Sequence, residues 1–298
     1  MDYAIGLDLG ATRTKALAVA TDGRVLAERA IVTDDGPHRR WAGNAKALIA
    51  AIEAELGPAA DIGVCGPGFV GADHRAVAWM AGRMTATIGF QWTGFLGRAR
   101  FVPVVNDGQA ALVGEAWLGA ARGARHAVML TLGTGVGGAI MADGRLLAGA
   151  LGRAGHIGHV TADASGAPDL CRMPGGLDDQ IGDATVRRRS GGRFADTRAL
   201  VAAYRAGDGG ATEIWLRSIR ALGCVIASVV NVVDPELVVI GGGVAEADDA
   251  LFGPLATVMD EVEWRPNGHQ VPIRPAALGA HAGALGAARF AMKWDKPR

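Results

Sequence analysis

Phe101-Val-Pro-Val-Val-Asn106-Asp107-Gly-Gln-Ala-Ala-Leu-Val-Gly-Glu115 reads as a strand running into a helix, with two polar residues at the junction. The β-branched run Val102, Val104 and Val105 predicts a short buried strand, and Gln109–Leu118 has helical composition with Leu112 and Val113 on one side. Asn106 and Asp107 then stand at the C-terminal tip of the strand. In layered α/β architectures that tip faces the ligand crevice, where a carboxylate can accept a proton from a substrate hydroxyl. The same residue types cap helices routinely, so position alone leaves this pair open between capping and catalysis.

Upstream, Tyr3–Leu7, Thr14–Ala20 and Arg24–Val32 read as three strands, with Asp22-Gly23 as a hairpin signal, followed by a helix over Trp41–Leu56 and a strand over Asp61–Gly66. Gly66-Pro67-Gly68 must turn, and the irregular stretch Trp79–Trp92 is open between a pocket wall and a surface loop. Downstream, Leu130-Thr-Leu-Gly133, a turn, a strand and Asp143-Gly144-Arg145 echo Leu7-Asp-Leu-Gly10, a turn, a strand and Asp22-Gly23-Arg24 at offsets of 123 and 121 residues. A duplicated hairpin opening each of two domains is therefore expected, and at 298 residues the chain is long enough for two cores. Glu213–Val233 predicts a long helix with a buried stripe of Trp215, Ile219, Leu222 and Ile226; Leu237–Ile240 a strand; and Ala280–Lys293 a last helix packing back on the first domain.

Lys plus Arg equals Asp plus Glu at 30 each, so there is no basic excess for a nucleic-acid partner. Three widely spaced cysteines, Cys65, Cys171 and Cys224, argue against a disulfide framework, and with no signal peptide legible a cytoplasmic protein is expected. The longest uncharged run, residues 127–142, is broken by four glycines and falls short of the roughly 20 apolar residues of a membrane span, so no membrane partner is expected. The 45 glycines cluster in apolar settings, which suggests close backbone approach to ligands.

Gly133-Thr-Gly-Val-Gly-Gly138 matches the dinucleotide fingerprint, but the sequence after it reads as strand and hairpin rather than the helix that motif must open. A nicotinamide enzyme is thereby disfavoured, while a glycine turn presenting N–H groups to phosphate is retained. Asp8-Leu-Gly10-Ala-Thr12-Arg-Thr14-Lys15 adds a carboxylate for Mg²⁺, held directly or through a water, with Thr12, Thr14 and Lys15 as candidate phosphate contacts.

These segments together resemble the ROK sugar kinases, of the actin-like, hexokinase-type fold. The matching pieces are Asp8–Lys15, Asn106-Asp107, Leu130-Thr-Leu-Gly-Thr-Gly-Val-Gly-Gly138, Gly155-His156-Ile-Gly-His159 and Asp234-Pro-Glu-Leu-Val-Val-Ile-Gly-Gly-Gly243, in family order. The resemblance implies an α/β chain of two duplicated actin-like (ribonuclease H-like) domains with a cleft between them: residues 1–118 with a C-terminal piece 280–298, and residues 119–279. It implies ATP- and Mg²⁺-dependent phosphorylation of a sugar, glucose-like for preference, by a homodimer. Asp107 would be the catalytic base, Gly68, Asn106, Asp107, His156, His159 and Asp178 would meet the sugar, and Asp8, Gly10, Thr12, Thr14, Lys15, Gly133, Thr134, Gly135, Gly241, Gly242 and Gly243 would serve ATP.

Two departures bear on specificity. His156 and Asp178 stand where the family usually carries Glu. The family's zinc site resembles a His with three close cysteines, and this chain offers only His159 and Cys171 of that kind, so no structural zinc is expected. Members that act as repressors carry an N-terminal DNA-binding domain, and with the phosphate strand opening the sequence a repressor of that kind is not expected. N-acetylhexosamine or fructose kinases are the nearest alternatives, and a catalytically silent sugar-binding protein is a further one, opposed by Asp8, Asp107 and both glycine hairpins.

Overall fold

The computed structural model describes residues 2–10, 12–34, 36, 38–169 and 171–294. The chain runs β1 (Tyr3–Leu9), β2 (Arg13–Ala20), β3 (Val25–Val32), α1 (Arg40–Leu56), β4 (Asp61–Gly66), β5 (Phe69–Val70), β6 (Val77–Trp79), α2 (Trp92–Leu96), β7 (Val104–Asn106) and α3 (Asp107–Leu118). It continues through β8 (Ala127–Leu132), β9 (Val136–Ala142), β10 (Arg145–Leu146), α4 (Leu177–Ile181), α5 (Val186–Arg189), α6 (Thr197–Arg205), α7 (Gly209–Val233), β11 (Leu237–Gly241), α8 (Asp249–Val262), β12 (Ile273–Pro275) and α9 (Ala282–Met292).

Two five-stranded sheets result, ordered β3-β2-β1-β4-β7 and β10-β9-β8-β11-β12. In each, the opening strand pairs antiparallel with the next one and parallel with a later one: β1 with β2 and β4, β8 with β9 and β11. The sequence echo is thus an echo of topology. The described residues gather into two compact units, one from Met1–Gly123, Leu146–Gly155 and Ala277–Arg298, the other from Ala124–Arg145 and His156–Ala276. The chain therefore visits the first unit three times, where the sequence suggested one return. Residues 295–298 of the expected C-terminal piece lie outside the described residues.

In the first unit β1 is buried almost throughout, as expected of a strand covered on both faces. Trp41, Ile49 and Ile52 of α1 join one side of this core. Helix α9 covers the other side, against β1, β2, β4 and α3. Its contact is backbone to backbone: a Cβ on Gly6, Gly63 or Gly286 would collide with the carbonyl oxygens of Ala284, Ala287 and Ala110 respectively. These glycines admit protein backbone, not a ligand, which corrects part of the reading of the glycine content. Gly286→Ala should therefore lower stability by about 1–3 kcal/mol through overpacking. Equilibrium urea unfolding checks this, and an unchanged midpoint would refute the tight packing.

Glu115, fully buried at the end of α3, accepts N–H bonds from Ala120 (2.7 Å), Ala277 (3.1 Å) and Leu278 (2.9 Å), fastening the returning chain to α3. The Trp79–Trp92 stretch is largely exposed, as a surface loop would be, but it is anchored from inside. Met80, Met84, Phe90 and Trp92 are buried with Trp41 in the core, and Phe90 stacks edge-on against Trp41 at 4.8 Å.

In the second unit α7 is long and apolar enough to cross a membrane by length and composition alone. Its stripe of Trp215, Ile219, Leu222 and Ile226 is instead packed in the core, with Trp215 Nε1 donating to Ala250 O at 2.8 Å. Arg217 pairs with Glu213 on the outer face. That is the pattern of a core helix.

Candidate active site

The junction at Asn106 and Asp107 divides the two roles the sequence left open. Asn106 is the N-cap of α3: its Oδ1 accepts from Gly108 N (3.0 Å) and Gln109 N (3.4 Å), and its Nδ2 donates to Gly68 O at 3.0 Å. Asn106 is buried and Asp107, the first residue of the helix, is exposed. Capping thus belongs to Asn106, while Asp107 carries an exposed carboxylate whose Oδ1 also accepts from Gly108 N at 2.8 Å. Gly68 is held at φ +100°, where a side chain is strained, and a Cβ there would lie 2.8 Å from Met80 Cε.

Asp8 lies next to the C-terminal end of β1, opposite Lys15 on β2 and Cys65 on β4. Burial pushes its carboxyl up to about 6, the charge of Asp107 adds to this, and Lys15 and a hydrogen bond from the Cys65 thiol oppose it. Lys15 Nζ donates to Ala280 O at 3.0 Å. The first turn of α9 approaches closely, since a Cβ on Gly283 would lie 3.0 Å from Asp8 Oδ2 and 3.2 Å from Cys65 Sγ. A desolvated carboxylate facing a second one is a hard-oxygen donor set short of positive charge, and it fits Mg²⁺.

The other residues of the first phosphate motif separate by exposure. Thr12 is exposed, whereas Thr14 is buried and shares its hydroxyl with Thr33 at 2.8 Å; Thr33 in turn donates to Gly10 O at 2.7 Å. Thr14 therefore braces the turn from inside, and a Cβ on Gly10 would sit 2.8 Å from Arg13 O, so this glycine also serves the turn.

In the second unit the glycine turn is shorter than the sequence suggested. Strand β9 resumes at Val136, leaving Gly133–Gly135 as the turn, closed by Gly133 N donating to Gly135 O at 2.8 Å. The turn opens a strand and not a helix, so the dinucleotide fingerprint fails on its structural condition. Among the described residues the N–H groups of Thr134 and Gly135 have no protein acceptor, and Gly133 faces open space. Asp178 lies against this turn: its Oδ1 accepts from Val136 N, and a Cβ on Gly135 would be 2.9 Å from its Oδ2. Burial raises the Asp178 carboxyl, against the Val136 N–H and His159. Gly241 and Gly242 abut Ala276, Met129 and Leu132, while Gly243 has open space beside it where a 3-10 turn begins.

His156 is half-buried, just ahead of the 3-10 turn Ile157–His159. His159 Nδ1 is buried without a hydrogen-bond partner, 3.7 Å from Asp169 Oδ2, and Cys171 completes a group whose ligand atoms all lie within 4.8 Å of one another. Asp169 is the ligand type missed when only cysteines were counted; the signal, an Asp two residues before Cys171, was in the sequence. A closed structural zinc takes four ligands, and the described residues bring three together here. Asp169 Oδ1 already accepts from Cys171 N (2.7 Å) and Met173 N (2.8 Å), so the loop has a metal-free fastening.

A family model described as ROK family matches residues 4–293. A glucokinase of Thermotoga maritima is 31% identical, covering 95% of this chain and 95% of the relative. An N-acetylmannosamine kinase of Escherichia coli is 29% identical over 97% of this chain and 98% of its own length. The crystal structure of a ROK hexokinase from Thermus thermophilus matches with a TM-score of 0.85 at 31% identity, covering 97% of this chain and 98% of that one. With the duplicated sheets and an exposed aspartate at the capped strand-to-helix junction, this match over nearly the whole length establishes that the chain belongs to the ROK family, with the actin-like ATPase fold of its sugar kinases.

Proposed function

We propose that this chain transfers the γ-phosphoryl group of ATP to a hydroxyl of a hexose, with glucose or a close relative as substrate. The observation that carries the reading is the division at residues 106 and 107: Asn106 takes the helix cap, and Asp107 presents an exposed carboxylate whose charge is felt by the desolvated Asp8. The glucokinase and N-acetylmannosamine kinase relatives support a carbohydrate kinase.

In this reading Asp107 accepts the proton of the attacking sugar hydroxyl. Asn106 fixes its position from below by tying the start of α3 to the Gly68 carbonyl. Gly68, His156, His159 and Asp178 remain assigned to the sugar, with Asp178 also fastening the glycine turn through Val136 N–H. Thr134, Gly135 and Gly243 offer backbone to phosphate and nucleotide, and Lys15 offers its ammonium. Asp8 would hold Mg²⁺, directly or through a water, and the ion supplies charge neutralisation at the phosphates. Cytoplasmic location and a homodimer complete the proposal.

A panel of glucose, fructose, N-acetylmannosamine and N-acetylglucosamine in an ADP-release assay tests it. Sugar-dependent release with glucose best is the expected result. Preference for an N-acetylhexosamine would move the substrate toward the E. coli relative, and no sugar-dependent release would leave a silent binding protein.

The purified protein is expected to hold less than one equivalent of zinc and to keep its melting temperature in EDTA, because His159, Asp169 and Cys171 leave the fourth position unfilled. Elemental analysis finding one tightly held zinc per chain would overturn this.

A further inference from the structure

Arg189, the last residue of α5, is a half-buried guanidinium with no carboxylate at ion-pair distance among the described residues; Asp179 pairs with the neighbouring Arg188 at 2.8 Å. Burial, with repulsion from Arg188, pulls Arg189 down to about 10. Its donors go to neutral oxygens: Nε to Thr185 Oγ1 at 3.0 Å, Nη1 to Ser218 Oγ on α7 at 2.6 Å, and Nη2 to Gly182 O at 3.2 Å. Asp183 and Asp179 oppose that shift from beyond contact distance. Desolvating a cation without a carboxylate in direct contact is unfavourable, and an apolar side chain would fill the space without that penalty. What an apolar side chain lacks is the reach to tie three separate points together.

Those points back directly onto the glycine turn. From the segment that Arg189 holds, Asp183 N donates to Gly133 O at 2.9 Å and Ala184 N to Thr134 O at 3.0 Å. A Cβ on Gly182 would be 3.0 Å from Thr134 O and 3.2 Å from Gly135 Cα, so the segment and the turn are in contact without an intervening layer. A path of hydrogen bonds thus runs from Ser218 in the core helix α7, through the guanidinium, to Gly182–Thr185 and on to Gly133 and Thr134.

We infer that Arg189 is a positioning residue for the nucleotide: it anchors Gly182–Thr185 to α7 and so holds the turn Gly133–Gly135 in the form that presents the Thr134 and Gly135 N–H groups to a phosphate. The inference rests on reading that turn as a phosphate site. Arg189 itself touches no reacting group in this assignment. Its removal changes how well the turn is ordered before the nucleotide arrives, which is a change in binding rather than in the chemical step.

Arg189→Lys keeps the charge but cannot span three acceptors, and Ser218→Ala removes one anchor with less risk to folding. In Arg189→Lys the nucleotide KM should rise about tenfold or more, with sugar KM and kcat within about threefold of wild type. Amide hydrogen exchange should quicken in peptides covering residues 132–137 and 182–186 while peptides of α6 and α7 keep wild-type rates. Ser218→Ala should move both readouts in the same direction by less. Equal rises in both KM values, an unchanged nucleotide KM, or quickened exchange throughout the second unit would overturn the inference and leave Arg189 a general core residue. If wild-type protein shows no sugar-dependent ADP release, the kinase reading fails on its own account. The exchange rates at 132–137 then decide whether Arg189 controls the turn.

Discussion

Asp107→Asn should lower turnover by roughly 10²- to 10⁴-fold, the usual loss on removing a general base. The amide keeps the shape of the carboxylate and can still accept from Gly108 N, so α3 should start where it does now, capped by Asn106. ATP and sugar affinities should change little, because the lost interaction is the acceptance of a proton that moves only during transfer. Steady-state kinetics with isothermal titration of both ligands tests this. Turnover near wild type would return Asp107 to the role of a first-turn helix residue with a favourable charge.

Asp8→Asn should abolish Mg²⁺-dependent activity and yet stabilise the fold at neutral pH. The Asp8 carboxyl is raised from an ordinary value of 3.8 to about 6, chiefly by burial and next by Asp107. As pH climbs, the unfolded chain releases this proton first, so between about 4 and 6 the native state binds more protons and stability falls with rising pH. Above that window the whole penalty is present, roughly 3 kcal/mol by linkage and already net of the opposing Lys15 charge and Cys65 hydrogen bond. The neutral amide removes it. Urea unfolding in EDTA should therefore find the variant more stable than wild type near pH 7.5, with the gap closing toward pH 4. A gap of the same size at both pH values, or a less stable variant at pH 7.5, would refute the assignment of that strain to Asp8. This is the trade expected where a carboxylate is kept in an unfavourable place for what it binds.

Strands and long helices were legible because their apolar periods are unambiguous: β4 and β8 run as read, and β7, α1, α7 and α9 differ from the reading by a few terminal residues. The duplication was legible too, since hairpin signals recur at nearly constant offset and the two sheets share one strand order. Choosing between Asn106 and Asp107 was not, because both are good caps in isolation and only the register of β7 against the Gly66–Gly68 turn brings the Asn106 amide to the Gly68 carbonyl. Thr14 was read with the phosphate contacts because its neighbours are polar; its period-2 position in β2 turns it inward to Thr33, a partner nineteen residues away. The glycine content misled in a similar way. A glycine that admits a ligand and one that admits a helix look alike until the third dimension places α9 over Gly6 and Gly63. Arg189 gave no signal at all, since three consecutive arginines on a short helix read as a solvated face.

The manner in which α9 completes the first unit has a consequence for how the protein is made. A chain emerging from the ribosome has β1–β4, β7 and α3 available by residue 123, but the helix that covers their second face begins at Ala282, and the N–H groups of Ala277 and Leu278 that satisfy Glu115 arrive just before it. At about 5–20 residues per second that delay is on the order of ten seconds or more. Throughout it the glycine-lined backs of β1 and β4 stand without α9, and the carboxylate of Glu115 has the Ala120 N–H but lacks its two later donors. The second unit, whose strands and helices lie between, can close before the first. The nascent chain thus holds its earliest sheet in an unfinished state while its later one matures, and a fragment ending at residue 123 would inherit that unfinished state permanently.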